Sequence, residues 1–162
     1  MIKILKEPVY FLGQVEFKIL KGSLSINGRN FTEEFQEWNS AFSPRSTALM
    51  SFDPQDGEEV TIEFRTLENG LDAIQNCQST FGIIYTPETE FIEFFEEVVK
   101  GFHVLKKEAE KTIPIPLMKI TSEWQEVLED LGTVNSPVIF VCGHRKVGKS
   151  SFSRFVLNGL LN

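Results

Sequence analysis

One run of residues near the end of the 162-residue chain constrains the fold more than any other feature. It reads Gly143-His-Arg-Lys-Val-Gly-Lys-Ser150, with two glycines separated by four residues and followed by a lysine and a hydroxyl residue. Apolar, mostly β-branched residues precede it at 138–142, and a helical pattern follows at 149–161. Glycines let the backbone turn tightly with its N–H groups pointing inward at a helix N-terminus, which makes an anion-binding nest. The sequence therefore predicts a strand, a phosphate-binding loop (P-loop) and a helix.

Two side chains of this loop have a direct chemical role. Lys149 is spaced to reach the β- and γ-phosphates of a nucleotide, and the Ser150 hydroxyl is spaced to bind Mg²⁺. A P-loop transferase also needs an acidic residue that organises the Mg²⁺, a group that orients the acceptor, and cationic groups on the transferred phosphoryl. Those groups normally come from strands after the loop, and here only one helix follows it. We therefore expect an incomplete catalytic domain, in which Cys142 is buried on the entering strand.

Composition narrows the class of protein. A hydrophobic content of 41% and a charged content of 24% are typical of a globular protein. The formal net charge of −7 argues against a free-standing nucleic-acid-binding module. Acidic residues concentrate at 32–97 between two basic segments, which leaves open a solvated acidic face, a local nucleic-acid groove or a docking surface for a basic partner.

The cysteines and the apolar runs bear on the compartment. Cys77 and Cys142 have neither a disulfide-framework nor a metal-site spacing, which favours a reducing compartment. The charged residues among the first 20 exclude a signal-peptide core there. No apolar run approaches the ~20 residues that span a membrane, so no membrane association is expected.

The first 86 residues predict a mainly β domain. Short β-prone segments alternate with Gly and Pro turns, at 9–12, 15–20, 23–26, 29–31, 47–52, 60–66 and 81–85. Asn27-Gly28 is a two-residue hairpin signal. Such a series is typical of an antiparallel sandwich of the jelly-roll type.

The periodicity then changes. Apolar residues from Phe91 to Leu105 recur at intervals of three and four residues. This spacing predicts a helix with Glu93, Glu96 and Glu97 on its solvated side. Residues 112–116 are extended and stiff, as in a linker. Ser122 and Gln125 predict a capping box for a short helix that Gly132 stops.

These patterns divide the chain into three parts. Residues 1–111 are predicted to form a β-sandwich domain with helical elements, 112–136 a linker and short helix, and 137–162 the first strand–loop–helix unit of an α/β P-loop domain.

The residues around the loop resemble one family. Trp124 in a short helix, the apolar strand, the loop and above all Ser151-Phe-Ser-Arg-Phe-Val-Leu-Asn158 resemble the eukaryotic polynucleotide 5′-hydroxyl kinases, in particular the nucleolar branch that acts in pre-ribosomal RNA processing. Residues 20–28 resemble the strand pair that opens the family's β-sandwich, and Gly70, Leu71 and Ile74 its next element. The resemblance implies a β-sandwich, a central P-loop kinase domain and a C-terminal domain, of which this chain would hold the first and the opening of the second.

The resemblance also implies an activity. The family transfers the γ-phosphate of ATP to the 5′-hydroxyl of RNA, so the implied cofactors are ATP and Mg²⁺ and the implied location is the nucleus and nucleolus. The implied partners are pre-rRNA with a 5′-hydroxyl end and the endoribonuclease that cuts the internal transcribed spacer. Lys149 is the candidate catalytic residue and Ser150 the candidate metal ligand. The candidate cofactor-binding residues are Gly143, His144, Arg145, Lys146, Val147, Gly148, Lys149, Ser150 and Ser151.

Other interpretations stay open. The family's Mg²⁺-organising acid, base and lid arginines have no counterpart, so the chain alone is expected to be inactive. The alternative is a non-catalytic scaffold or docking module for an endoribonuclease or RNA, with the P-loop used structurally. An unrelated P-loop GTPase is disfavoured, because it would need a guanine-reading motif further along the chain.

Several single residues are also ambiguous. The 15 phenylalanines are expected mainly in the core rather than as RNA-stacking platforms, whereas Trp38 fits either role. His103 lacks a second ligand at metal spacing, so a structural or surface role is expected. For His144 and Arg145, contact with phosphate or RNA and simple loop exposure both remain possible.

Overall fold

The computed structural model describes residues 1–34, 36–55, 57–68, 85–135, 137–145 and 148–160. Within these ranges the protein is mainly β, with a curled antiparallel sheet and few helices. The strands are β1 Ile2–Leu5, β2 Val9–Lys21, β3 Ser23–Ile26, β4 Arg29–Thr32, β5 Asn39–Ser43, β6 Met50–Pro54, β7 Val60–Arg65, β8 Phe95–Val99 and β9 Phe102–Leu105. The α-helices are α1 Ser122–Gly132 and α2 Lys149–Leu160, and 3-10 helices lie at Thr89–Phe94 and Lys107–Lys111.

Strand β2 organises the sheet. Its 13 residues pair antiparallel with β5, β6, β7 and β9 along different parts of its length. Val15, Phe17 and Ile19 are buried and alternate with more exposed neighbours, as the period of two predicts. The two strands predicted at 9–12 and 15–20 are therefore one continuous strand.

The other predicted strands have mixed outcomes. The strands predicted at 23–26, 29–31 and 60–66 are confirmed to within one residue, and the one predicted at 47–52 begins later, at Met50. The strand predicted at 81–85 and the family element at 70–74 lie outside the described residues, apart from Tyr85.

Phenylalanines fill the core enclosed by the curled sheet. The ring of Phe52 is the centre of the cluster, and its centroid lies between 4.7 and 6.0 Å from those of Phe11, Phe17, Phe64 and Phe102. Four of these five side chains are fully buried and the fifth, Phe64, is 3% exposed. The core assignment is confirmed for these residues, since each ring buries a large apolar area and meets its neighbours in tilted or edge-to-face geometry.

The helix predicted at 91–105 is wrong. A 3-10 helix ends at Phe94, and the chain then forms the β8–β9 hairpin, which pairs with β2. A bulge between Glu97 and Val99 shifts the strand register, so a spacing of three between Phe95 and Val98 still places both side chains in the core. Aromatic and β-branched residues suit a strand, and pairing with β2 favours the strand over the helix that the apolar spacing predicts. Glu96 and Glu97 therefore lie on a strand, where Glu96 forms an ion pair with Lys3.

The strand predicted at 138–142 is also absent. The structure assigns these residues no strand, Val138 and Phe140 are 98% and 88% exposed, and Cys142 is exposed rather than buried. A strand needs neighbours that satisfy its N–H and C=O groups, and no described strand pairs with this segment.

Helix α1 begins and ends near its predicted limits, but its cap differs. Thr121 is the N-cap residue and forms no side-chain capping hydrogen bond, so the capping box predicted for Ser122 and Gln125 is wrong. The end at Gly132 is confirmed. Before the helix, the predicted linker lies against the sheet, since Leu49 and Pro116 share a backbone hydrogen bond of 2.8 Å and Ile113 is buried. Among the described helices, none has the length and apolar character needed to cross a membrane.

His103 on β9 gives the fold a predicted pH dependence. Burial lowers the pKa of this histidine below 6.5, and nearby Glu97 opposes that shift. The unfolded chain therefore binds more protons than the folded chain just below pH 6.5, so stability is present above that pH and falls on acidification. We expect the melting temperature to fall between about pH 7.5 and about pH 5.5, and to fall less in His103→Gln. Equal pH dependence in the two proteins, measured by circular dichroism, would exclude His103 as the cause.

Candidate phosphate-binding site

The loop from Gly143 to Gly148 connects the exposed segment 137–142 to helix α2. Gly143 and Gly148 have φ angles of 143° and 85°, which side chains with a Cβ rarely adopt, so the two glycines of the motif lie where the backbone requires them. Lys146 and Val147, also predicted to bind the cofactor, lie outside the described residues. The helix starts directly after the loop, where the N–H of Phe152 donates to the carbonyl of Gly148 at 2.9 Å.

The ammonium group of Lys149 lies over this loop. Its Nζ donates a hydrogen bond to the carbonyl oxygen of His144, so the side chain folds back onto the loop. The Ser153 hydroxyl donates to the Lys149 carbonyl at 2.9 Å, within the same first turns of α2. The structure thus brings Lys149 and His144 together at the loop that the motif assigns to phosphate.

The start of α2 supplies further groups suited to an anion. The N–H groups of Lys149, Ser150 and Ser151 precede the first hydrogen bond of the helix, so no helical carbonyl satisfies them. The positive end of the helix dipole coincides with these N–H groups. Ser150 is exposed and Ser151 is half-exposed. This donor set, an ammonium, amides and a hydroxyl, fits a nucleotide phosphate with Mg²⁺ on the Ser150 oxygen.

A cavity of about 430 Å³ opens beside the loop. Its walls come from α1, from the exposed segment and from the start of α2, and include Glu123, Trp124, Val127, Ile139, Phe140, Val141, Cys142, Gly148, Lys149 and Phe152. The Trp124 ring contacts Phe152 edge-on, with 5.1 Å between centroids, and so holds α1 against α2. The volume falls in the usual range of small-molecule sites.

The β3–β4 hairpin positions helix α2. Phe155 and Val156 are 2% and 3% exposed, and a Cβ at Gly28 would lie 2.6 Å from the Phe155 ring and 2.7 Å from its carbonyl oxygen. The Asn158 side chain donates to the Asn27 carbonyl at 3.1 Å. Asn27 and Gly28 form the hairpin turn predicted from the sequence, with φ angles of 47° and 87°.

Sequence reasoning missed this second role of the turn. Gly28 allows Phe155 of helix α2 to approach the backbone closely. The sequence signals, the Asn-Gly pair and the apolar Phe155-Val156 pair, lie more than 120 residues apart. Only the folded structure joins them.

The remaining candidate residues lie at separate places in the structure. His144 and Arg145 are exposed in the loop. Trp38 is half-buried, and the Arg65 guanidinium lies 4.0 Å above the centre of its ring while also pairing with Glu16. His103 lies on β9 in the sheet, where Glu97 is its strand partner, and it takes no part in the loop.

Comparison with known proteins finds a similar relative. No protein-family model matches the chain. Over 96% of its length, the chain is 27% identical to the polynucleotide 5′-hydroxyl-kinase GRC3 of Gibberella zeae. The aligned region spans only 22% of that curated protein. The chain is therefore a distant relative of a polynucleotide 5′-hydroxyl kinase, and this relationship supports a kinase-related function.

Proposed function

We propose that this chain is the N-terminal part of an ATP-dependent polynucleotide 5′-hydroxyl kinase, in which residues 143–151 bind the nucleotide. One observation carries the proposal. A loop with the glycines of a P-loop and the Lys149 ammonium over it lies at the start of a helix, in a chain similar to such a kinase over 96% of its length.

Each loop residue has a role in this proposal. The Lys149 ammonium binds the β- and γ-phosphate oxygens and stabilises the charge that builds up on the transferred group. The N–H groups at the start of α2 bind further phosphate oxygens. Ser150 holds Mg²⁺, which when bound neutralises charge on the phosphates.

The proposed acceptor is the 5′-hydroxyl of RNA. The resemblance of residues 151–158 to the nucleolar branch supports pre-rRNA as that RNA, cut in its internal transcribed spacer by an endoribonuclease partner. It also supports a nuclear, nucleolar location. The Gibberella relative is a polynucleotide 5′-hydroxyl kinase, which agrees with a polynucleotide acceptor that bears a 5′-hydroxyl.

One observation favours a second candidate, a non-catalytic docking module. Helix α2 buries Phe155 and Val156 against the sheet, and Lys149 already has a hydrogen-bond acceptor within the loop. A loop held in this way can serve the packing of α2 without performing chemistry. Such a module would dock an endoribonuclease or RNA through the sheet.

Phosphate transfer by the full-length protein distinguishes the two candidates. The assay follows labelled γ-phosphate from ATP to an oligoribonucleotide with a 5′-hydroxyl, and the same oligonucleotide with a 5′-phosphate is the acceptor control. We expect transfer to the first only, reduced roughly 10²- to 10³-fold in Lys149→Ala, since a charge-stabilising group of the transition state is lost. Lys119→Ala, at an exposed lysine before α1, is the matched control. Absence of transfer by a folded wild-type protein favours the docking module.

A further inference from the structure

A second cleft lies where the β3–β4 hairpin meets helix α2. Its volume is about 260 Å³, and strand β5 forms one of its walls. The residues that matter for its chemistry are Asn27, Arg29, Phe31, Phe42, Arg154 and Asn158. This arginine cleft is separate from the P-loop residues 143–151.

Charge at the arginine cleft is unbalanced. Within the described residues, neither Arg29 nor Arg154 has an ion-pair partner, whereas Arg45 pairs with Glu88 and Arg65 with Glu16. The described lining of the cleft contains no aspartate or glutamate. The Arg29 guanidinium lies over the Phe31 ring, 5.0 Å from its centroid, and no described carboxylate pairs with it or with Arg154. Two such guanidinium groups in a chain of net charge −7 favour an anionic ligand, and a guanidinium suits phosphate because it donates two parallel hydrogen bonds.

The same cleft offers groups that suit a flat base. Phe42 is 40% exposed, and its ring centroid lies 6.5 Å from that of Tyr85. Asn27 is only 8% exposed, and its Oδ1 is buried without a hydrogen-bond partner among the described residues. An exposed aromatic ring such as that of Phe42 stacks on nucleobases.

The cleft lies along the same side of α2 as the loop serine. Ser150, Arg154 and Asn158 are spaced by four residues, so their side chains share one face of the helix. At 1.5 Å per residue, this row covers ~12 Å from the loop to the cleft. A polynucleotide has a phosphate at every residue of its backbone and can follow such a row.

We propose that the arginine cleft binds a segment of single-stranded polynucleotide, with a backbone phosphate on Arg29 and Arg154 and a base on Phe42. The inference rests on the proposed function for the identity of the strand, which is the acceptor polynucleotide away from its reacting end. The cleft gives a chain of acidic net charge a local site for that strand.

Fluorescence anisotropy with a 3′-labelled, 5′-hydroxyl oligoribonucleotide tests the proposal over a range of salt concentrations. We expect Arg29→Ala and Arg154→Ala each to weaken binding about tenfold and to reduce the slope of log affinity against log salt by about 0.7, the contribution of one phosphate contact on a single strand. Arg154→Lys keeps the charge and should keep the slope. Phe42→Ala should weaken binding without changing the slope, because stacking releases no counterions.

Arg45→Ala is the matched control, since it removes an arginine that is distant in sequence and already paired with a carboxylate. Unchanged oligonucleotide affinity and salt slope in both Arg29→Ala and Arg154→Ala would overturn the proposal, as would no binding by the wild-type chain. ATP affinity, measured on the same samples, separates this test from the proposed function. Loss of oligonucleotide binding with ATP binding intact supports the cleft. If the wild-type chain binds the oligonucleotide but no ATP, loss of oligonucleotide binding in the arginine variants still supports the cleft. The missing ATP binding then counts against the kinase.

Discussion

Replacing Lys149 with alanine is expected to lower the affinity of the chain for ATP by roughly 10- to 100-fold, because a hydrogen bond to a charged group contributes about 1.5–3 kcal/mol. The ammonium lies over the loop, on the carbonyl of His144, so a phosphate in the loop would be within its reach. The loss should be much smaller for AMP, which lacks the β- and γ-phosphates that the lysine is spaced to contact. Isothermal titration calorimetry with both nucleotides measures the two affinities.

The control for this variant is Lys119→Ala, which removes the same charge from an exposed site before α1. The sheet does not involve Lys149, so circular dichroism and the melting temperature should stay close to those of the wild-type chain. Equal ATP affinity in Lys149→Ala and the wild type would remove the lysine from the site. An equal loss for ATP and AMP would show a general defect of the loop instead.

Replacing Gly28 with alanine is expected to destabilise the protein by about 3 kcal/mol, with a fall of about 6–12 °C in melting temperature. Two effects add. The φ angle of +87° costs a residue with a Cβ about 1–2 kcal/mol, and the Cβ would lie 2.7 Å from the backbone carbonyl of Phe155, which has no rotamer to relieve the contact. Helix α2 must then move away from the hairpin, and the loop that begins at Gly143 moves with it.

Gly57→Ala is the matched control. Its φ angle of +69° gives a similar backbone strain, but no atom lies within 4 Å of the added Cβ. The difference between the two variants isolates the contact with Phe155. Trp124 fluorescence is a second readout, because its ring lies 5.7 Å from that of Phe155 and should report movement of α2 in Gly28→Ala only. Equal destabilisation by both substitutions would contradict docking of α2 on the hairpin.

Local signals in the sequence predicted much of the sheet. The Asn27-Gly28 turn and the strands that flank it follow from the dihedral angles that these two residues tolerate. The loop glycines Gly143 and Gly148 lie where the motif places them, for the same kind of reason. In these cases a few adjacent residues are enough to predict the local backbone conformation.

Non-local pairing decided the features that the sequence did not predict. Residues 95–105 have apolar spacings of three and four, yet pairing of β9 with β2 and a bulge place them in the sheet. The strand expected at 138–142 needs partner strands, and its exposed Val138 and Phe140 have none among the described residues. Contact between Gly28 and Phe155 joins residues too far apart for any periodicity to reveal. Around the candidate site, the positive φ angles of Gly143 and Gly148 follow from the motif, whereas the docking of α2 and the arginine cleft do not.

The most direct test of the central claim, that residues 143–151 hold the phosphates of ATP, is an amide NMR titration of the ¹⁵N-labelled chain with ATP and Mg²⁺. We expect the largest chemical-shift changes at Gly148, Lys149 and Ser150, because their N–H groups lie in the loop or in the first turn of α2. The resonances of β1 and β7, which pair with each other, should not move. Shifts confined to the sheet, or no shifts at saturating ATP, would contradict the claim.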